Sequence, residues 1–552
     1  MSKIFAAALT AARFGQKKLG TRVMIVCAAL LASVTASAMG IELFRVFSDD
    51  TGRVQTESSD PSTLNATNPF FDASIGTNGQ ACVTCHEPQT GITITPPFIR
   101  DRFQDTHGTD PLFRANDTAN NPFITTHTRD DYSLFLTLGT PRIGEKVQQA
   151  ATPNNFTVVA ANDATNALFA APDMFPLSTD PQHPGVAGGT LSIFRRPLLN
   201  VNVNFDSAVL WDGRADTSNL GPNVITDTKS QVDGAVTTLL LGAGLNGGSP
   251  TILAQEQAIA SFMAGVYTDQ VRDNRAGNLS GHGATGGVDN LIALAASPTR
   301  PCVFDKTGAL TIFVAAATGG NTVPPSTCTP VVGGGPNFTL FDSWASLPPC
   351  DNDGDHDRDD HECRNAARES ILRGQNIFNN TLDFAGGHCT SCHSANNLGN
   401  NPSAAFMIRE GHDSVAKLQA IQAVAAASGD ANATEEVEQI QDMIDRVNLL
   451  PLYCLRPTAD PTPFSTSPCG NDPTDVTTTD PGRALVTGLI ANVGGQKPPT
   501  LRNLAVRAPF FHNGDAQDMR HLVTFYKFFL KGGFLTMTNQ DEDDLIHFLN
   551  AL

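Results

Sequence analysis

Two pentapeptides place reactive side chains at fixed spacing: Cys82-Val83-Thr84-Cys85-His86 and Cys389-Thr390-Ser391-Cys392-His393. Two thiols separated by two residues suit a dithiol redox pair, half of a zinc site, or a c-type haem attachment point. A redox dithiol needs neither a following histidine nor a second copy. A zinc site takes about four ligands, commonly from two such pairs close in sequence, whereas these two lie more than 300 residues apart. Haem attachment uses every residue: the thiols form thioethers to the vinyl groups, and the adjacent imidazole reaches the iron. The spacing therefore predicts two covalently bound c-type haems, with His86 and His393 as iron ligands. Two haems in one chain imply electron transfer between them.

The rest of the chain must hold these motifs in a setting where c-type haem is attached, outside the cytoplasm. The N-terminus fits an export signal: Arg13, Lys17, Lys18 and Arg22 precede the apolar run VMIVCAALLASVT, and Ala36-Ser37-Ala38 offers a small-x-small cleavage site. The apolar run is shorter than the about 20 residues of a membrane span, so cleavage fits better than an uncleaved anchor. The mature protein is then expected to be periplasmic or otherwise exported, with no stable membrane insertion. Cys27 lies inside the signal behind Val26, which argues against lipidation. The formal net charge is −19, which argues against nucleic acid or an anionic membrane surface and favours basic partner proteins, or serves solubility alone; the two haems imply a redox protein as donor or acceptor. Six further cysteines, Cys302, Cys328, Cys350, Cys363, Cys454 and Cys469, fall into three sequence-local pairs. Nearest-neighbour disulfides are expected, although six cysteines allow 15 pairings.

With 552 residues the chain has room for two or more domains. The fold class expected is mainly α: two cytochrome-c-like haem domains with long loops and a Gly/Pro-rich insertion. The expected divisions are a signal peptide over 1–38, an N-terminal haem domain over 39–300, a disulfide-clipped insertion over 301–363 and a C-terminal haem domain over 364–552. Residues 252–270 read as one amphipathic helix, and Gly- and Pro-rich sequence from 271 to 350 reads as insertion or linker. RNAARESILRGQNIFNN reads as a helix leading to the second motif, and 413–450 as two helices. The last segment begins with a Thr538 or Asn539 cap, carries acids in its first turn, and lines Leu545, Phe548, Leu549 and Leu552 on one face.

Three blocks carry a family resemblance. FFDASIGTNGQACVTCHEPQTG, RRPLLNVNVNFDSAVLWDGRAD and PPTLRNLAVRAPFFHNGDAQDMRHLVTFY resemble, in order, segments of the bacterial dihaem cytochrome c peroxidases and the related MauG-type enzymes. Regions 108–190, 271–350 and 412–480 match poorly. The resemblance implies that hydrogen peroxide or oxygen reacts at the N-terminal haem while the C-terminal haem acts as an electron reservoir. Trp211 matches the family tryptophan between the haems; otherwise it is a core residue. Tyr526 matches the axial ligand of the second iron, methionine in the peroxidases and tyrosine in the MauG-type enzymes. An anionic phenolate favours ferric or higher oxidation states, whereas a thioether favours ferrous iron. Met407, Met443, Met519 and Met537 are the alternative ligands.

One family feature is missing. Peroxide chemistry needs a group that accepts and returns a proton beside the open iron. The family places a glutamate some twenty residues beyond the tryptophan, yet no Glu stands between Glu145 and Glu256. Gln231 sits near that spacing, flanked by Asp227 and Asp233, and an amide cannot exchange a proton at neutral pH. A non-enzymatic electron carrier and an oxygen-dependent oxygenase, like the distantly related rubber oxygenases, are the alternatives. His107 and His127 are candidates for the sixth position of the first haem, or else surface histidines. DNDGDHDRDDHE (351–362) fits a calcium loop or a solvated acidic turn. The resemblance also implies a calcium ion between the domains, near which Arg195 and Arg196 stand in place of a ligating Asn.

Overall fold

The computed structural model describes residues 46–60, 67–121, 124–146, 155–162, 190–206, 208–215, 224–242, 250–296, 338–349, 364–380, 389–393, 397–399, 411–458, 475–529 and 537–552. The expected signal segment, the acidic loop and Cys302, Cys328, Cys350, Cys363 and Cys469 lie outside these residues, as does Met407.

The fold is mainly helical, with three small sheets. In the N-terminal half, strands β1 (Val46–Ser48) and β2 (Gly52–Ser58) are followed by helices α1 (Cys82–Cys85), α2 (Pro96–Thr106) and α3 (Ser133–Leu138). Then come β3 (Arg142–Lys146), β4 (Phe156–Asn162), β5 (Thr190–Phe194), α4 (Val224–Thr238), α5 (Pro250–Gly265), β6 (Val266–Asp273), β7 (Gly277–Asn278) and α6 (Val288–Ala296). The C-terminal half holds α7 (Arg364–Asn380), α8 (Cys389–Cys392), α9 (Val415–Ala426), α10 (Ala433–Val447), β8 (Leu452–Pro457), β9 (Val476–Thr478), α11 (Ala484–Thr487), α12 (Met519–Phe529) and α13 (Asn539–Asn550).

Two cores organise these elements. Phe70, Ile92, Val232, Val236, Ile259 and Phe262 belong to the first, against which Cys82 packs. Ile371, Phe378, Ile440, Phe525, Phe548 and Leu552 belong to the second, against which Cys389 and Tyr526 pack. Helix α13 starts as its sequence dictates: Thr538 accepts from the Asp541 amide, and the Asp541 carboxylate accepts in return from Thr538. Leu545, Phe548, Leu549 and Leu552 are buried. Gly374 allows α7 to cross α13 closely, since a Cβ there would lie 1.9 Å from the Asp544 carbonyl oxygen.

Two expectations need correction. The helix read over 252–270 stops at Gly265, and Val266-Tyr267-Thr268 instead continue as β6, paired antiparallel with β2. β-branched and aromatic residues at a glycine break favour the strand once a partner edge is present. The stretch read as insertion from 271 onward is partly core. Ala276, Leu279, Phe338, Phe341 and Trp344 are buried with the second core. The Phe338 and Phe341 amides donate to Asn379 and Gln375 on α7. Residues 338–349 thus pack with the C-terminal unit rather than standing apart.

The halves interlock. Strand β4 pairs with β8, which pairs with β9, so one sheet draws from both halves. Phe156 and Ile193 of the first half share a small core with Tyr453, Leu455 and Leu485 of the second. The Tyr453 hydroxyl donates to the Ser192 carbonyl at 2.7 Å. Among the described residues no helix is long and apolar enough to cross a membrane.

Candidate functional site: two matched histidines and the seam between them

Both CxxC segments form one short helical turn that ends on its histidine, whose amide donates back to the first cysteine carbonyl, at 3.1 Å for His86 and 3.0 Å for His393. None of the four cysteines is held in a disulfide. His86 Nδ1 lies 3.1 Å from the Ile92 carbonyl oxygen, and His393 Nδ1 lies 2.8 Å from that of Leu398. A carbonyl only accepts, so each Nδ1 acts as the donor in that contact. Burial pushes both imidazoles down to about 4, against the opposing hydrogen bonds to the backbone of Ile92 and Leu198 or of Leu398 and Pro499. Both are therefore neutral at pH 7, the state that binds iron. A phenylalanine flanks each ring at the same distance: Phe70 and Phe378, with centroids 6.4 Å away. Cysteines outside any disulfide, a histidine turned to a backbone carbonyl and an apolar flank together fit covalently bound haem at both positions.

The backbone that presents these carbonyls is unusual. Ile92 and Leu398 both adopt the left-handed region, φ 58 and 54, at a cost of about 1–2 kcal/mol each. Both are fully buried, and packing holds the conformation. The likeness between the halves then continues at a constant chain offset. Asn202 and Asn503 are left-handed and each opens a short 3-10 turn, Val203–Phe205 and Leu504–Val506. Further on, Val209 bridges Ala215 and Phe510 bridges Ala516. Leu210 and Phe511 are left-handed, and so are Gly213 and Gly514. The chain thus contains one supersecondary unit twice.

In that repeat Trp211 and His512 occupy the same position, and they meet, with centroids 6.0 Å apart and planes at 62°. Trp211 is buried, and its indole N–H donates to the Arg196 carbonyl at 2.7 Å. The Lys497 amide donates to the Trp211 carbonyl at 2.6 Å. His512 is buried, its ring nitrogens accept or donate no hydrogen bond among the described residues, and Nε2 lies 3.5 Å from Asp480. Burial pushes its imidazole down to about 3, outweighing the opposing pull of Asp480.

A buried ionic network runs along this seam. Arg195 donates to Asp212 at 2.6 Å and in a fork to Asp480 at 2.6 and 2.8 Å. Arg214 pairs with Asp212 and Glu145. Burial alone would raise the Asp212 carboxyl, but the Arg214 and Arg195 guanidiniums hold it well below the carboxylate range. The positive charge between Asp212 and Asp480 is thus Arg195. Further ties across the seam are Lys497 to Asp206 at 2.7 Å and Arg502 to Asp269 at 3.0 Å.

Other expected residues sit as follows. Tyr526 is half-buried on α12, its ring 5.8 Å from Phe511. Met443, Met519 and Met537 are buried in the second core. Gln231 and Asp233 are half-buried on α4, beside the buried Val232 and Val236. His107 is exposed at the end of α2, and His127, also exposed, bonds the Tyr132 hydroxyl at 2.5 Å. Among the described residues no group of three or more His, Cys, Asp or Glu side chains is set to hold a metal ion.

One acid escaped the sequence reading. Asp117 is buried, and burial pushes its carboxyl up to about 7 despite a hydrogen bond from Gln80 and the charges of Arg142 and Arg114. Its Oδ1 has no partner among the described residues, and its charge acts on Cys85 of the first motif. Nothing in the local sequence RANDTAN marks it as buried. The chain matches no protein-family model, and no curated protein matches it at significant similarity.

Proposed function

We propose that the protein is an exported dihaem c-type oxidoreductase of the cytochrome c peroxidase and MauG type. It activates hydrogen peroxide at the His86 unit, with electrons relayed from the His393 unit past Trp211. The single observation behind this reading is the duplicated histidine setting, in which each CxxCH histidine turns its Nδ1 to the carbonyl of a buried left-handed residue. When bound, the haems supply redox-active iron, one centre open to peroxide or oxygen and one a store of electrons.

The chain supplies the rest. His86 and His393 orient through their backbone bonds. Trp211 is fixed by the Arg196 carbonyl. A carbonyl cannot take its indole proton, so Trp211 passes electrons without proton loss. Tyr526 offers a phenol oxygen to the second iron from a helix packed on the second core. Gln231 can orient a ligand by hydrogen bonding but cannot exchange a proton. Asp117, poised near 7, is the group whose acidity suits proton exchange at neutral pH.

Stopped-flow mixing of oxidised and reduced protein with peroxide tests this. A spectral change at one haem within the mixing trace is expected; no change at either haem contradicts the proposal. The amide at Gln231 favours a second reading, a non-enzymatic carrier with both irons six-coordinate. A five-coordinate, high-spin population in EPR supports the enzyme and excludes the carrier.

A further inference from the structure

We infer that Lys527 is a positioning residue for the second iron site, and that it acts by locking the pitch and depth of the helix that carries Tyr526. The inference rests on reading Tyr526 as an iron ligand. Lys527 follows Tyr526 on α12, yet it points into protein: its side chain is 1% exposed, and its ammonium donates to Asp430 at 2.7 Å, Glu436 at 2.5 Å and Glu542 at 2.5 Å. These carboxylates come from three places: the loop between α9 and α10, the first turn of α10, and the first turn of α13. One turn back, Thr524 donates to Gln439 of α10 at 2.6 Å.

Helices usually set their depth by apolar packing, which tolerates small slides because it has no direction. Buried polar contacts do not tolerate them. Three charge-assisted bonds from one ammonium to three separate segments admit one axial position and one rotation of α12. Such contacts are costly to bury and are best attested where they fix register. Here the spot holds three carboxylates and one ammonium, with Arg520 3.4 Å from Glu542 as the only other cation near them among the described residues. Simple stability would be served by Leu or Met at 527. The arrangement makes sense where the neighbour must place one atom to a fraction of an ångström, as a ligand to iron must be. Helix α4, where Gln231 sits, contributes Val232 and Val236 to the first core.

The test uses the haem-loaded protein and four variants: Tyr526→Phe, Lys527→Met, Lys527→Arg, and a charge-balanced Lys527→Met with Glu436→Gln and Glu542→Gln, which leaves neither of these two buried carboxylates unpaired. EPR and resonance Raman read the spin state of the second haem, and hydrogen exchange reads the amides of 519–529. We expect Tyr526→Phe to convert the second haem to another spin or ligation state. We expect Lys527→Met and the charge-balanced variant to lower its tyrosine-ligated fraction about tenfold relative to the unligated form, a typical coupling between neighbouring sites. Lys527→Arg should restore the signal. If hydrogen exchange in α12 rises in the lysine variants while the haem signal stays that of the unaltered protein, Lys527 is merely structural and the inference is overturned. If Tyr526→Phe leaves the second haem unchanged, the ligand reading itself is wrong, whatever the lysine variants do.

Discussion

The N-terminal and C-terminal units use the same motif in different surroundings. In both, a CxxC turn hands its histidine to a left-handed carbonyl, and a phenylalanine flanks the ring. Beyond that they diverge. The first is backed by helices α4 and α5 and by the sheet that contains β2 and β6; the second is built from helices α7, α10, α12 and α13. At the paired position the first unit offers Trp211 and the second His512; the next residue back is Leu210 in one and Phe511 in the other. The helix with Tyr526 is pinned by a buried lysine, whereas the helix with Gln231 is packed by valines. A buried acid near neutrality, Asp117, stands beside the first motif. The contrast teaches that the two units keep the same grip on the histidine while their surroundings differ: a buried lysine anchors a helix in the second, and a buried titrating acid stands in the first.

Several changes would break or sharpen the contrast. The largest effect belongs to the seam that both units share. Arg195→Leu leaves Asp212 and Asp480 buried with a lost partner, and should cost about 3–5 kcal/mol of unfolding free energy in denaturant titration. A loss below about 1 kcal/mol would mean that the network does not hold the units together.

Next in size is a pH effect confined to the first unit. The Asp117 carboxyl titrates near 3.8 when unfolded and is pushed up to about 7 by burial when folded. The folded state therefore binds the proton more tightly, so its stability declines as pH rises from about 4 to about 7, by at most about 4 kcal/mol. Asp117→Asn should remove that slope: urea titrations at pH 5 and pH 8 should differ less in the variant than in the parent protein. An unchanged slope would show that Asp117 stays ionised and solvated.

The smallest effect tests the helix that covers the second core. Thr538→Ala removes the α13 cap and should cost about 1 kcal/mol, read as a lowered denaturation midpoint with the spectrum of both haems unaltered. A spectral change would tie α13 to the iron site more directly than its packing indicates.

Much of this was legible in sequence, for identifiable reasons. The paired motifs are written in residue type and spacing, so Cys82, Cys85, His86 and their counterparts stand out without a structure. Helices α7, α9, α10 and α13 follow from apolar periodicity, and the Thr538 cap from local rules. What depends on distant partners was not legible. β6 was read as the tail of a helix because its partner β2 lies some 200 residues earlier. The Phe338–Trp344 stretch looked like linker because its glycine-rich surroundings hide the buried aromatics. Ile92 and Leu398 carry no mark of a left-handed backbone, which tertiary packing imposes on them. The repeat escaped notice because equivalent positions mostly hold different residues, as with Trp211 and His512; Asn202 with Asn503 and Gly213 with Gly514 were its faint signal. Asp117 was passed over because burial, not sequence, gives it its acidity.

All of this depends on iron porphyrin bound covalently at both motifs. The direct measurement is the pyridine haemochrome absorbance per chain, together with the intact mass of the denatured protein, for the exported parent and for a Cys389→Ser, Cys392→Ser variant. Two porphyrins that survive denaturation in the parent, and one in the variant with His86 still ligated, are the predicted results. A parent protein with no covalent porphyrin, or with only one, would contradict the account.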